Sequence, residues 1–133
     1  MTETWFEDSV QGGEISIENF SAYRADRKGR NRVGSCLYVR ADIPVAPLIS
    51  FSNGMIEIVM VKVPIWDLII GVIYRPPDST SEKWSEAINL IENTIAECQK
   101  DGKFLNVIIE GDLNFPNVNW NALDDNNLCK SIR

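Results

Sequence analysis

Hydrophobic and polar residues alternate along the first half of the chain with the two-residue period of β-strands. Residues 55–63 alternate over part of their length, with Glu57 interrupting the apolar run, whereas residues 66–74 are almost continuously apolar and β-branched. The second pattern is typical of a central strand that is covered on both faces. Residues 26–32 are polar, contain Gly29 and predict a hairpin-like loop. The pattern therefore predicts extended segments at residues 15–23, 34–40, 55–63 and 66–74.

Beyond residue 78 the period becomes that of a helix. Ser79 and Glu82 stand at the spacing of an N-terminal capping box, and apolar residues then recur at helical intervals. We therefore expect an amphipathic helix over residues 81–100. Residues 104–109 form another apolar run and predict a second buried strand.

The order of these elements predicts the fold class. The strand, helix and strand between residues 66 and 109 favour a parallel pair joined by a right-handed crossover, whereas the hairpin-like segments before them favour antiparallel pairing. Together they predict a mixed sheet with packed helices, which is an α/β chain with α+β layering. A length of 133 residues points to one domain.

The composition excludes several kinds of site. The chain contains no histidine, which excludes a Ser-His-Asp or Cys-His site and any histidine metal ligand within it. Its three cysteines are far apart, so they predict neither a disulfide framework nor a zinc site, and they favour a reducing intracellular compartment. No apolar run approaches the ~20 residues of a membrane span, so we expect no membrane association.

The charge is unevenly distributed along the chain. The net charge is −6, but six of the thirteen basic residues lie in one short window, namely Arg24, Arg27, Lys28, Arg30, Arg32 and Arg40. Such a cluster is compatible with contacts to nucleic-acid phosphates, and the alternative is a solvated hairpin tip.

Two polar residues come directly after the predicted strand at residues 104–109. Asp112 and Asn114 are two positions apart, so their side chains point the same way if the backbone stays extended. An ionised Asp can accept a proton from water and an Asn amide can donate to a phosphate oxygen, which suits metal-assisted phosphodiester hydrolysis. The alternative is an Asx-turn that simply ends the strand.

Tyr74 and Arg75 also end a predicted strand, at the edge where open α/β sheets bind ligands. Both side chains can donate to a phosphate, and the alternative is a half-buried tyrosine before a diproline that stops the strand. Glu3 offers a carboxylate, the ligand type that suits Mg²⁺. The alternative for Glu3 is an exposed position in a frayed terminus.

Five short motifs then occur in a characteristic order: TETW (2–5), YRADRKGR (23–30), LYVR (37–40), GVIYRPP (71–77) and GDLNFPNVNW (111–120). With these motifs the chain resembles the endonuclease domain of non-LTR retrotransposons. That domain belongs to the endonuclease/exonuclease/phosphatase superfamily, alongside the apurinic endonucleases. The resemblance covers residues 2–120, and its strength comes from the joint order and spacing of motifs that are individually short.

The resemblance implies a role for each matching residue. Glu3 would bind the metal ion and Tyr74 would contact the scissile phosphate. Asp112 would orient or deprotonate the attacking water, and Asn114 would position the phosphate. We therefore expect these four side chains to converge at one edge of the sheet, although they are far apart in the sequence.

The resemblance also implies a reaction and a setting. The reaction is hydrolysis of a DNA phosphodiester with Mg²⁺ or Mn²⁺, which in an intact element nicks target DNA beside a reverse transcriptase domain and acts in the nucleus on chromosomal DNA. The implied fold is part of a four-layer α/β sandwich. The residues expected to contact nucleic acid are Arg75, Arg27, Lys28, Arg30 and Arg32.

The chain departs from the family's pattern as well. The family places a strand with a metal-site Asn before the glutamate, and its later half supplies a further Asp and an Asp-His pair. We therefore expect residues 1–133 to be a partial domain without the first strand and the C-terminal half, with weak Mg²⁺ binding and no activity alone. The alternatives are a non-catalytic remnant that acts as a binding module, and a phosphatase-type relative that acts on phosphorylated lipids or nucleotides.

Overall fold

The structure, a computed structural model, describes residues 1–4, 13–27, 34–100 and 105–115. Within them the chain forms six β-strands, one α-helix and one short 3-10 helix. Their order is β1 (Phe20–Asp26), β2 (Gly34–Arg40), β3 (Ala46–Ser52), β4 (Glu57–Val63), the 3-10 helix (Pro64–Trp66), β5 (Leu68–Tyr74), α1 (Ser81–Cys98) and β6 (Asn106–Asp112). The protein is a mixed α+β chain, which confirms the fold class at that level.

The strands form two sheets. β1 and β2 pair antiparallel, and the larger sheet has the strand order β3-β4-β5-β6. Within the larger sheet, β3–β4 and β4–β5 are antiparallel, whereas β5 and β6, which flank the helix in the sequence, are parallel. This arrangement confirms the predicted mixed sheet and the predicted parallel pair.

The larger sheet is covered on both faces. On one face it packs against α1 in a hydrophobic cluster that includes Ile58, Met60, Ile73, Ala87 and Ile91. Successive residues of a strand point to opposite faces, so Val59 and Val61 lie on the face away from the helix, and both are fully buried there. β1 covers that face, as the hydrogen bond of 2.7 Å from Ser50 Oγ to the carbonyl of Arg24 shows. The central strands are therefore held between the helix and the smaller sheet.

Several strand bounds differ from those predicted. β1 begins at Phe20 rather than at residue 15, and β4 begins at Glu57 rather than at residue 55. β5 begins two residues later than predicted, because Pro64–Trp66 forms a 3-10 helix that ends on Asp67 in a left-handed conformation with φ 44°. β3 was not predicted at all.

β6 corrects a prediction about burial. The apolar run was expected to be a buried strand at residues 104–109, but the strand runs over Asn106–Asp112 and is largely exposed. Val107, Ile108 and Ile109 are 37%, 48% and 39% exposed. The reason is its place at the edge of the sheet, since among the described residues only β5 pairs with it.

The helix begins one residue later than a cap at Ser79 requires. Its N-cap is Thr80, whose hydroxyl accepts a hydrogen bond of 3.3 Å from the backbone N–H of Lys83. The helix ends at Cys98 and turns its Ala87–Ile91 face to the sheet. None of the helices in the described parts of the chain is long and apolar enough to cross a membrane.

Candidate functional site

A row of polar residues crosses the larger sheet at the carboxyl end of β5. Ser52 of β3 pairs with Glu57 of β4, Glu57 pairs with Tyr74 of β5, and Tyr74 pairs with Asp112 of β6. Directly paired residues project from the same face of a sheet, so these four side chains lie side by side. That face is the one that the smaller sheet covers.

Glu3 is brought to this row by the first four residues, which run beside β2. Thr2 forms a bridge with Ser35, the N–H of Thr4 donates to the carbonyl of Gly34 at 3.1 Å, and the N–H of Cys36 donates to the carbonyl of Met1 at 2.9 Å. These hydrogen bonds tie the segment to β2, so it is not frayed, although Glu3 itself is exposed, as the alternative interpretation expected.

Tyr74 links the two sides of the site. It is 5% exposed, and its hydroxyl donates a hydrogen bond of 3.0 Å to Oε1 of Glu3. Burial raises the pKa of Tyr74 to about 12, and the hydrogen bond to Glu3, the charge of that carboxylate and the charge of Asp112 act in the same direction. The phenol is therefore protonated at neutral pH and can serve as a hydrogen-bond donor, with two carboxylates near it.

Asp112 and Asn114 form the turn that the alternative interpretation anticipated. The backbone N–H of Asn114 donates to Oδ1 of Asp112 at 3.2 Å, which is the hydrogen bond of an Asx-turn. Asn114 has the left-handed φ of 45°, and its Nδ2 donates to the carbonyl of Arg75 at 3.1 Å. The turn is thus present, and it also places both side chains beside the end of β5.

Gly111 explains how β6 comes close enough to do this. A Cβ atom built on Gly111 would lie 1.7 Å from the carbonyl oxygen of Ile73, a separation that no side chain can occupy. Only glycine allows the backbones of β5 and β6 to meet at this point. Gly111 is therefore required for the pairing of the two strands, and Asp112, which follows it, is the candidate catalytic residue.

Arg75 lies behind the Asp112–Asn114 turn. Its Nη1 donates to the carbonyl oxygens of Leu113 and Asn114 at 3.1 and 3.0 Å, and its guanidinium carbon lies 4.4 Å from the centroid of the Phe115 ring. The guanidinium therefore already forms hydrogen bonds and an aromatic contact within the protein. Its predicted contact with nucleic acid stays a prediction.

Arg27 requires a correction of its predicted surroundings. It was predicted to contact nucleic acid from a basic loop, with a solvated hairpin tip as the alternative. Its side chain is instead only 10% exposed and forms an ion pair with Glu57, with Nε 2.7 Å from Oε1 and Nη2 3.0 Å from Oε2. Nη2 also donates to the carbonyl of Met55. The physical reason is that β1 lies on the face of β4 that carries Glu57, so the end of β1 directs Arg27 inward. The other basic residues assigned to the loop, Lys28, Arg30 and Arg32, lie outside the described residues.

Glu57 is the member of this site that the sequence did not identify. It is fully buried, and burial raises its pKa, while the hydrogen bonds and the positive charge of Arg27 oppose that rise. Ser52 Oγ also donates to it at 3.3 Å. The available signal was an acidic residue inside an apolar strand, because a buried carboxylate needs a buried partner.

A cleft of about 280 Å³ opens near this pair, lined by Ala25, Asp26, Ser50, Phe51, Ser52 and Gly54. Within the described part of the chain, its lining includes the acidic Asp26 and no basic side chain. Among the described residues, no group of three or more acidic or cysteine side chains is placed to hold a metal ion. Any metal site here would thus rest on fewer protein ligands.

The structure brings four of the candidate residues together. At the carboxyl edge of β5 and β6, Tyr74 contacts Glu3 and pairs with Asp112, and Asp112 accepts the backbone N–H of Asn114. Comparison of the sequence with protein-family models gives no match, and comparison with curated proteins gives no match either. A functional assignment therefore has to be argued from this geometry and from the sequence motifs.

Proposed function

We propose that this edge of the sheet is part of the catalytic site of a Mg²⁺-dependent endonuclease that hydrolyses DNA phosphodiester bonds. The observation that supports the proposal is the meeting of Glu3, Tyr74 and Asp112, which come from three distant parts of the chain. The resemblance to non-LTR retrotransposon endonucleases points to the same residues.

Each side chain can be given a chemical role. Oδ1 of Asp112 accepts the N–H of Asn114, which leaves Oδ2 to accept a proton from the attacking water. One amide hydrogen of Asn114 is used by the carbonyl of Arg75, and the second can donate to a phosphate oxygen. The phenol of Tyr74 has one hydrogen, which Glu3 accepts in this structure, so it would donate to the phosphate only once Glu3 turns to the metal ion. In the proposed reaction the water oxygen bonds to phosphorus while a phosphorus–oxygen ester bond breaks.

The carboxylates near Tyr74 fit a hard cation. Mg²⁺ takes oxygen ligands, typically from one or two protein carboxylates, and keeps several waters. Glu3 accepts the hydrogen bond of the Tyr74 phenol and Asp112 pairs with Tyr74 across the strands, so both carboxylates border the same edge of the sheet. When bound there, Mg²⁺ would neutralise negative charge on the phosphate.

The proposal extends to the fold and the partner. α1, the larger sheet and the smaller sheet follow one another as helix, sheet and sheet, which is the layering that a four-layer α/β sandwich of this superfamily contains. DNA is the proposed substrate, and a reverse transcriptase domain is the proposed neighbour in an intact element.

Paramagnetic relaxation by Mn²⁺ tests the proposal without requiring turnover. Binding is the better readout here because the chain contains no histidine, the group that the resemblance assigns to charge stabilisation at the phosphate. Trace Mn²⁺ added to the isotope-labelled chain should broaden the NMR signals of Glu3, Tyr74 and Asp112 first. Glu3→Gln should abolish this selective broadening, whereas the matched change Glu18→Gln, at an exposed position, should leave it intact.

A second titration separates the candidate substrates. With Mg²⁺ present, a short DNA duplex should shift the side-chain amide signal of Asn114, and an inositol phosphate should not. A response to the inositol phosphate alone would favour the phosphatase-type relative. Duplex binding with no Mn²⁺ broadening at Glu3 and Asp112 would favour a binding module and overturn the catalytic proposal.

A further inference from the structure

Arg75, Trp84 and Phe115 form a compact cluster, here called the Arg75 clamp. The guanidinium carbon of Arg75 lies 4.4 Å from the ring centroid of Phe115 and 5.8 Å from that of Trp84. The two rings contact each other edge to face, with centroids 5.4 Å apart and an interplanar angle of 82°. The clamp joins the end of β5, the first turns of α1 and the segment after β6.

Four hydrogen bonds connect Arg75 with residues 112–114. Two are donated by Nη1 to the carbonyls of Leu113 and Asn114, and one is donated by the backbone N–H of Arg75 to the carbonyl of Asp112 at 2.8 Å. The fourth runs in the other direction, from Nδ2 of Asn114 to the carbonyl of Arg75. Arg75 therefore bonds to every residue from Asp112 to Asn114.

The turn needs such support. Asn114 has a φ of 45°, a left-handed conformation that asparagine adopts more readily than most residues but that still lies outside the two main allowed regions. The hydrogen bond from its own N–H to Asp112 is a single contact of 3.2 Å. A planar guanidinium can hold two adjacent carbonyls and stack on an aromatic face at the same time, which a lysine ammonium cannot do.

The position of the guanidinium also argues against direct contact with DNA. Nη1 is occupied by the two carbonyls, and one face of the group lies against Phe115. Nε is buried and has no hydrogen-bond partner among the described residues. Nη1, Nε and one face of the guanidinium are therefore directed into the protein, although Arg75 is only half-buried.

We propose that Arg75 is a positioning residue that holds the Asp112–Asn114 turn through the clamp, rather than a nucleic-acid contact. This inference rests on the proposed function for its catalytic meaning, since it is Asp112 and Asn114 that would act on water and phosphate. Trp84 couples the first turns of α1 to the same turn.

Hydrogen exchange at the Asn114 side chain tests the clamp in the full chain. In Arg75→Lys, which keeps the charge and loses the planar fork, the Asn114 side-chain amide should exchange about tenfold faster or more, as the loss of charge-assisted hydrogen bonds predicts. Exchange of the β4 and β5 backbone amides should stay unchanged. Arg40→Lys is the matched control, because that arginine is 63% exposed and pairs with Asp42.

The outcomes are distinct. Unchanged Asn114 exchange in Arg75→Lys would overturn the proposal, since charge alone would then suffice. If that variant does not fold, Phe115→Leu removes the stacking face instead and should likewise speed Asn114 exchange. A shift of the Arg75 guanidinium signals on adding a DNA duplex would also overturn it. These readouts need no metal, so they remain valid even if the catalytic proposal fails.

Discussion

Tyr74 joins parts of the chain that meet only in the folded protein. Its hydroxyl donates to Glu3, its backbone pairs with Asp112, and the guanidinium carbon of Arg27 lies 5.8 Å from its ring centroid. Because the ring is 5% exposed, its phenol experiences both carboxylates with little screening by water. The pKa of Tyr74 therefore depends on whether Glu3 and Asp112 are in place around it.

The first prediction concerns the pH dependence that follows. The pKa of Tyr74 is about 12 in the folded chain against 10.0 for an ordinary tyrosine, so the folded chain holds more protons between those values. The stability that Tyr74 contributes is thus fully present below pH 10 and is lost as pH rises through about 12. Tyr74→Phe should make the fall in unfolding free energy over that range shallower, as measured by denaturant titration.

Phenolate absorbance provides the direct check. The difference spectrum between the wild-type chain and Tyr74→Phe should show a tyrosine that ionises near pH 12. Glu3→Gln should lower the pKa of Tyr74, because it removes a neighbouring negative charge. An unchanged titration in Glu3→Gln would contradict the contact between these two side chains.

At this scale the sequence predicted residues whose signal is local. Tyr74 and Asp112 were predicted as site residues because each is a polar residue at the end of an apolar strand and each lies in a motif of the family resemblance. The Arg27–Glu57 pair was missed because it depends on β1 packing over β4. Glu57 stands out as an acidic residue in an apolar strand, but nothing near it in the sequence identifies Arg27 as its partner. Arg27 was instead grouped with its basic neighbours as a nucleic-acid contact, with a solvated hairpin tip as the alternative.

The pairing of β6 with β5 depends on one glycine, Gly111. The backbone of β6 meets β5 at Gly111, where an added Cβ would lie 1.7 Å from the carbonyl oxygen of Ile73. The neighbouring atom belongs to the backbone of the central strand, so it cannot move aside as a flexible side chain would. The pairing that places Asp112 beside Tyr74 therefore requires glycine at this position.

The second prediction concerns Gly111→Ala. We expect it to lower the free energy of unfolding by at least about 2 kcal/mol, because overpacking forces a backbone shift. It should also change the NMR chemical shifts of Asp112 and Asn114 relative to the wild-type chain. Gly13→Ala is the matched control, since no atom lies within 4 Å of its added Cβ, and an equal effect of both changes would refute the explanation.

The elements differed in how readily they could be predicted. The helix and the central strands follow clear hydrophobic periods, and their existence was recovered. β3 was missed because Pro47 lies in an otherwise alternating run and a bulge follows it between Pro47 and Ile49. The exposure of β6 could not be predicted either, because an apolar run does not show whether its strand lies at the edge of the sheet.

At the scale of the whole molecule, a buried ion pair joins the two sheets. Arg27 follows β1, Glu57 opens β4, and their side chains are 10% and 0% exposed. Removing one partner of such a pair leaves an uncompensated buried charge. The pair therefore fixes how the smaller sheet sits on the larger one, next to Tyr74.

The third prediction tests that role. Glu57→Leu should lower the free energy of unfolding by about 3–5 kcal/mol, because it leaves Arg27 as an unpaired buried charge, and the double variant Arg27→Met, Glu57→Leu should regain most of this loss. Asp42→Asn is the matched control, because the Arg40–Asp42 pair is exposed, and it should cost about 0–1 kcal/mol. A double-mutant cycle in chemical denaturation measures the coupling. Additive effects of the two single changes would show that the pair is not coupled.

The exposure of β6 affects the fraction of molecules in which the candidate site is assembled. Strand pairs with few buried neighbours open at a lower free energy than the molecule as a whole, and β6 is exposed along nearly all its length whereas β4 and the second half of β5 are buried. We therefore expect β6 to detach from β5 before the rest of the sheet unfolds, which would take Asp112 away from Tyr74. The fraction of molecules in which Asp112 lies beside Tyr74 would then depend on the free energy of this local opening. A substitution in β6 that leaves the global free energy of unfolding unchanged could therefore still reduce that fraction.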